Sequence, residues 1–469
     1  MPGGLFVGSG GVVMVSDGLT EAVHRLGAAA SELAQQHTIV RGHIEEWKLA
    51  GTHGSADAHR ALDSMEGASD LLRDAHHRTH ALAASLRHSI SIYETAEKIA
   101  GGVMNFAHEA AAWQLGTLAR VFAVPIAVGL GADVALACLI TGKSPSQLAG
   151  AAGDFVMDNP SVITSPAFVR GVAGLVDNAD QFEDGLLGLP PGVSQLLGPH
   201  GLGLTGPPTA AASVVGIASL FGLLKETPVE VHQSKVHDSA RPPATLAARF
   251  ANIPSVSPGN PAQFRIMKYV EPGKPDRFDV FIGGTASFDP HATTQPFDLT
   301  SDLNGVAEED PAMYRALVTA LHRAGVTTHS PVVFTGYSGG GLGASLLAAS
   351  GHYDVKGLVL VGSPSGQIRI PDSIPMLTIK NSDDPVPATG GFDINSHAIV
   401  IEHRAYNPGT DIPIDKPVPA HQRVAYQETV KLADASSDPR LQRELAQLNH
   451  FGDGATSVES TLWVARREK

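Results

Sequence analysis

The chain has 469 residues, 43% of them hydrophobic and 17% charged, and a formal net charge of −14. That length exceeds one ordinary core, so two or three domains are expected. The acidity excludes a nucleic-acid binder, because phosphate binding needs a concentrated basic face. The single cysteine, Cys138, sits in an apolar run and suits a small filler, which leaves no disulfide framework and no cysteine-based metal site.

The first residues, "MPGGLFVGSGGVVMVSDG", carry no basic n-region and so do not read as a secretory signal peptide. From 17 to 100 the pattern is helical almost throughout. Ser16 or Asp17 supplies a cap, and Val23, Leu26, Ala30 and Leu33 recur at helical spacing. "GTHG" at 51–54 breaks the run, and a second stripe follows through Leu62, Met65, Leu72, Leu82, Leu86, Ile90 and Tyr93. Two long helices joined by a short glycine turn predict an antiparallel hairpin. His76 and His80 stand at i, i+4, but no third ligand accompanies them, so they are assigned to a solvated face and no metal is expected.

Trp47 before the turn and "YETAE" at 93–97 resemble the Trp-x-Gly family of helical-hairpin proteins handled by type VII secretion. The turn here reads "WKLAG" in place of Trp-x-Gly. The resemblance implies that Tyr93 and Glu97, four apart on one helix face, serve as an export signal. It also implies a small helical partner at the hairpin and a secreted or cell-surface location by a signal-peptide-independent route. Without an export function in the hairpin, the expectation is cytoplasmic.

Residues 106–240 are rich in Ala, Gly, Leu and Val, with Pro-Gly punctuation at 188–208. Helices are predicted at 103–142, 166–177 and 209–225. The run Val121–Ile140 approaches the length of a membrane span but contains Pro125, two glycines and Asp133, and a central Asp costs roughly 2.5–3.5 kcal/mol on insertion scales. A buried helix is the first reading, and contact with membrane or lipid through 106–225 the second.

From about 262, apolar strands alternate with helices: "QFRIMKYV", "RFDVFIGGT", a helix in "DPAMYRALVTALHRAG", then "PVVFTGY", "GGLGASLLAAS", "VKGLVLVGSP", "IPMLTIKNS", "HAIVIEHRAY" and "PAHQRVAYQETVKLADAS". Short buried strands between helices imply a mostly parallel sheet covered on both faces, with sites at the strands' carboxyl ends. "WVARREK" at the C-terminus is predicted as an edge strand with a basic end.

"GYSGG" at 336–340 fits the G-x-S-x-G elbow, in which a sharp strand-to-helix turn exposes a nucleophilic serine. Glycine makes up 50 of the 469 residues, so the motif alone is weak; the apolar strand before it and the Ala/Leu helix after it supply the specificity. A serine hydroxyl needs a base, and the base an orienting acid, in the chain order Ser, acid, His. "SDDPVPA" at 382–388 offers Asp383 or Asp384 at a strand end, and His421 opens a helix. His397, His403 and His450 are the rival bases. The N–H of Gly339 is one expected oxyanion donor, with the second on "GGTASF" at 283–288.

The region 262–435 resembles the α/β-hydrolases near the class-3 lipases and related bacterial esterases, through "IGGT", "GYSGG", "DPVP" and "AHQRVAYQET". The resemblance selects Asp384, which opens an Asp-x-Val-Pro motif, over Asp383. It makes Thr285 the second oxyanion donor, with Ala286 next, and implies acyl transfer on a small-molecule or lipid ester through Ser338, His421 and Asp384, with no cofactor. Phe288 and Phe297 are candidates either for an acyl pocket or for ordinary packing. The expected layout is therefore a hairpin at 1–105, an apolar helical region at 106–240 and an α/β-hydrolase domain at 241–469. The competing expectation is a catalytically silent hydrolase fold that binds or scaffolds.

Overall fold

The computed structural model describes residues 5–9, 16–49, 59–80, 157–177, 211, 215, 223–237, 240–256, 260–289, 291–307, 309–407 and 409–468. Tyr93, Glu97, Cys138, the segment 121–140 and the helix expected at 103–142 lie outside them. The chain divides into two compact units, 12–104 and 1–11 with 105–469.

In the first unit, helix α1 (Ser16–Leu49) and helix α2 (59–80) run antiparallel. His76 Nδ1 lies 2.8 Å from the Ala30 carbonyl near one end, and Lys48 pairs with Glu66 at 2.8 Å near the other. His76 is thus engaged by the facing backbone.

The second unit is built on a nine-stranded mixed sheet. Its strands are β1 (Phe6–Ser9), β2 (Val229–His237), β3 (Phe264–Val270), β4 (Arg277–Ile282), β5 (Pro331–Tyr337), β6 (Asp354–Val361), β7 (Met376–Asn381), β8 (Ile399–His403) and β9 (Ser457–Arg467). The spatial order is β1-β8-β7-β6-β5-β4-β3-β9-β2. Strands β4 to β8 are parallel and neighbour one another in sequence order; the other pairings are antiparallel. Among the described residues the helices of this unit are α3 (Pro166–Asp177), α4 (Leu246–Ala251), α5 (Leu299–Val306), α6 (Ala312–Arg323), α7 (Gly339–Ala349), α8 (Arg423–Asp434) and α9 (Pro439–Asn449), with shorter turns at Pro160–Ile163, Pro385–Ala388 and Pro419–His421.

Strand side chains alternate between two buried layers, as the period of two requires. Val332, Phe334, Leu358 and Leu360 meet α6 and α7 on one face, while Val333, Val359 and Val361 meet α4, α8 and α9 on the other. Both faces of β5 and β6 are covered, which is why these strands read as continuous apolar runs. Helix α6 buries Met313, Ala316, Leu317, Ala320 and Leu321, a single 3.6-period stripe. The product is a three-layer α/β/α arrangement whose parallel strands all end at one rim.

Three features differ from the sequence expectation. Residues 6–9 and 229–237, which fall in the expected hairpin and apolar regions, supply the two edge strands of the sheet. Strand β9 is interior, between β3 and β2, where an edge strand with a solvated basic end was expected. Its Arg467 is buried because two carboxylates meet it: Asp298 accepts from Nε and Nη2, both at 2.9 Å, and Glu226 accepts from Nη1 at 2.8 Å. The helix expected at 209–225 has ended by Leu223, and Leu223 and Leu224 pack with Val215 against Leu299 and Leu303 of α5. The helix expected at 166–177 is α3.

Candidate active site

Strand β5 runs into α7 through Ser338, whose φ of 54° and ψ of −131° place it where side chains are rare. Neighbouring glycines make the turn sterically feasible. A Cβ on Gly336 would fall 2.5 Å from the Gly341 Cα, and one on Gly340 would fall 2.6 Å from the Ile282 carbonyl oxygen. The Ser338 N–H donates to Val361 O at 2.9 Å, so β6 still holds the turn where the strand stops. Strand, turn and helix together present the hydroxyl at the carboxyl rim.

Strands β7 and β8 bring the partners to the same rim. His421 Nε2 lies 2.8 Å from Ser338 Oγ, and His421 Nδ1 lies 2.7 Å from Asp384 Oδ2. An ionised carboxylate only accepts, so Nδ1 carries the proton and the Nε2 lone pair faces the serine hydroxyl. Ser338 is 6% exposed; the side chain of His421 is 13% exposed and that of Asp384 is fully buried. Asp384 is shut away, whereas Ser338 and His421 keep some exposure.

Asp384 is held from three sides. The Tyr426 hydroxyl donates to its Oδ2 at 2.7 Å, the Val386 N–H donates to Oδ1 at 3.0 Å, and its own N–H donates to Asn381 O at 2.9 Å. Asp383 does different work. Its two oxygens accept the N–H groups of Ala405 and Tyr406 at 2.9 and 2.8 Å, fastening the exit of β8. Burial pushes the Asp383 carboxyl above its usual range, and those two N–H groups pull it back.

The His421 ring is clamped between aromatics. Tyr337 stacks on it at 5.3 Å and 16°, and Tyr426 meets it edge-on at 6.1 Å. The Tyr337 hydroxyl donates to the His421 carbonyl, which ties His421 to the end of β5. On Tyr337 the Arg423 guanidinium lies 5.6 Å from the ring centre. Burial raises the Tyr337 hydroxyl's pKa, so it remains a donor. Asn381 joins the two halves: its side-chain N–H donates to Ala420 O at 2.8 Å and its Oδ1 accepts from Thr429 at 2.7 Å.

On the opposite side of Ser338 stands the turn after β4. The Ala286 N–H is already given to Phe297 O at 2.7 Å. Among the described residues the N–H groups of Thr285 and Gly339 meet no acceptor, so both are open to a ligand oxygen. The Thr285 hydroxyl donates to Asp302 Oδ2 at 2.6 Å. Burial pushes Asp302 up to about 7, against the pull of the Thr285 bond.

The rival histidines stand elsewhere. His397 lies 3.2 Å from Asp372, His403 is buried on β8 beside Thr429, and His450 ends α9 next to Asp453. Phe297 is buried and stacked on Phe264 at 6.0 Å, which makes it core, whereas Phe288 is 72% exposed. Sequence reading passed over Asp302, Tyr337 as a clamp, and Asn381. The one local signal for Tyr426 was its place five residues after His421.

Among the described residues no cluster of three or more metal-ligating side chains occurs, and no helix is long and apolar enough to cross a membrane. Compared with protein-family models, curated proteins and solved structures, the chain matches none.

Proposed function

We propose that this chain is a serine hydrolase of the α/β-hydrolase type that cleaves carboxylic esters of small molecules or lipids. The observation that carries the reading is the unbroken row Ser338–His421–Asp384, at 2.8 and 2.7 Å, hung on a positive-φ serine between a parallel strand and a helix. In this reading Ser338 Oγ attacks the ester carbonyl while His421 Nε2 takes its proton, and Asp384 holds the resulting imidazolium. The oxyanion is received by the N–H groups of Gly339 and Thr285, each donor supplying roughly 3 kcal/mol of barrier lowering. His421 then protonates the departing alcohol, and water, activated by the same nitrogen, releases the acid from Ser338.

The helical pair α1–α2 supports a second element of the proposal, that the N-terminal hairpin region expected at 1–105 carries an export signal read by a type VII-like machine. The chain would then act outside the cell or on its surface, with Tyr93 and Glu97 as the signal.

A fluorophosphonate probe tests the chemistry. The folded chain is expected to take one label, absent from Ser338→Ala and sharply reduced in His421→Ala. Folded protein that takes no label would leave a silent scaffold as the surviving reading. For the hairpin, normal export of both Tyr93→Ala and Glu97→Ala removes the secretion element alone.

A further inference from the structure

His403 takes no part in the row Ser338–His421–Asp384, yet a chain of hydrogen bonds leads from it to the residue before His421. It ends β8 and is paired in register with Asn381, the last residue of β7. Both are buried, and so is Thr429 of α8, which bonds to each of them.

Hydrogen-bond chemistry sets the direction of every proton in this group. The Ala420 carbonyl only accepts, so the Asn381 amide nitrogen faces it at 2.8 Å and Oδ1 is turned to Thr429. Oδ1 also only accepts, so the Thr429 hydroxyl donates across the 2.7 Å between them. The Ala425 carbonyl competes for that proton from one turn back on α8, but at 3.4 Å. With its proton committed, Thr429 Oγ1 accepts from His403 Nδ1, 3.3 Å away. His403 therefore carries its proton on Nδ1. Asp383 and Glu428 favour a charged ring, and burial outweighs them, so the ring has a single proton to place.

A proton on Nε2 would reverse the row. His403 would turn a lone pair to Thr429, the hydroxyl would swing to it, and Asn381 Oδ1 would lose its donor. An amide flipped to recover a partner would set its oxygen against the Ala420 carbonyl and push away the residue before His421. Asp384 has separate support, from the Tyr426 hydroxyl at 2.7 Å.

Resting on the hydrolase reading, we propose that His403 and Thr429 are positioning residues: the Nδ1–H of His403 fixes the Thr429 hydroxyl, which through Asn381 holds the Ala420 carbonyl and keeps His421 in line with Ser338. Neither residue touches substrate. Their loss falls on kcat and leaves KM unchanged, because the displaced imidazole acts only in the chemical step.

The test is kcat and KM for a soluble nitrophenyl ester on the full chain, per site counted by fluorophosphonate labelling of Ser338 to completion. Thr429→Val removes the hydroxyl at nearly constant volume, and His403→Leu removes the donor. Each is expected to lower kcat about ten- to a hundredfold, the scale of a small misplacement. Thr429→Ser, and His403→Asn, whose amide nitrogen takes the place of Nδ1, are expected to stay within about threefold of wild type. The double variant His403→Leu/Thr429→Val is expected to match its weaker parent, because both changes break one row. Val and Leu variants with wild-type kcat per labelled site, or a double variant whose losses multiply, overturn the proposal. Should those variants not fold, NMR of the ring nitrogens of wild type decides, the His403 signals being those absent from His403→Asn. A proton on Nε2 at neutral pH overturns the proposal, and one on Nδ1 supports it. Wild type that takes no label removes the hydrolase reading itself, whereas labelled wild type beside fully active variants removes this row alone.

Discussion

Replacing Tyr426 by Phe removes one buried oxygen and leaves the ring. The volume is almost unchanged, so the effect isolates hydrogen bonding from cavity formation. Two bonds are lost: the donation to Asp384 Oδ2 at 2.7 Å and the acceptance from the Asn381 N–H at 3.2 Å. A hydrogen bond to a charged group contributes roughly 1.5–3 kcal/mol, and a buried N–H left without a partner costs about 1–3 kcal/mol. Taking the low end of both gives a destabilisation of about 2.5 kcal/mol, a large share of a stability of roughly 5–15 kcal/mol. Activity should suffer far less. Asp384 keeps the His421 ring and the Val386 N–H, so the base stays oriented. A kcat loss of about tenfold or less is expected, against roughly 10⁴-fold for Asp384→Asn, where the wrong tautomer of the base is favoured. The stability arm is urea unfolding followed by the fluorescence of buried Trp463 in a Trp47→Phe, Trp113→Phe background. A shift below about 1 kcal/mol would show that Asp384 and Asn381 find other partners. A kcat as low as that of Asp384→Asn would show that the hydroxyl, and not the carboxylate alone, orients the base.

Asp383→Asn retains one acceptor of the two that hold Ala405 and Tyr406, so it is expected to lower stability by about 1–2 kcal/mol while kcat stays within threefold; a kcat collapse would exchange the roles of the two aspartates. Tyr337→Phe keeps the stack on His421 and removes the tie to its carbonyl, so a kcat loss of about three- to tenfold is expected with KM unchanged, and an equal or larger loss for Tyr337→Leu, which removes both; a Leu variant as active as wild type refutes the clamp. Gly340→Ala drives a methyl into backbone carbonyls and should abolish labelling of Ser338 or soluble expression; normal labelling refutes the close packing of the turn. The Asp177 carboxyl, at the end of α3, accepts from the Phe392 N–H, and burial raises its pKa to about 6. Its folded pKa lies above the unfolded value, so the stabilisation is full below the unfolded value and is lost as pH rises through about 6. Amide exchange in α3, corrected for intrinsic rates, should therefore be slower at pH 5 than at pH 7, and equal or reversed protection excludes the assignment.

What could be read in the sequence followed from burial. Strands β3 to β8 are legible because most of their residues face one of two helix layers, which forces runs such as "GLVLV" and "PVVF". The elbow is legible because a turn between a strand and a helix this close admits only glycine at two of its flanks. Strand β1 is four residues long and has no pattern to show, and β2 mixes Val with Glu, His, Gln and Lys, so neither presents a continuous apolar run. Arg467 looked solvated because charge carries no sign of its partner, and Glu226 stands 241 residues away. Asp302 was invisible for the same reason: within "LTSDLNG" it is an ordinary helix residue, and only the fold carries it to Thr285. Local chemistry announces itself locally; contacts between distant segments do not.

The adjacent aspartates show how such a site is kept in register. Ser338 holds a backbone conformation that costs of order 1–3 kcal/mol, and such strain persists only where the surroundings over-determine it. Strand β6 fixes the serine through Val361 O, and the glycine flanks leave α7 no room to slide. His421 comes from a separate stretch, after β8, and must be brought to the same point. Asp383 fastens the exit of β8, Asp384 catches the imidazole, and Asn381, three residues before it, fastens Ala420 and α8. Three polar side chains within four residues of the end of β7 therefore set both the path of the returning chain and the orientation of its histidine. Asp384 meets the imidazole and Asp383 meets backbone, so under the proposed hydrolase chemistry the two neighbours are expected to differ by about three orders of magnitude in their effect on rate.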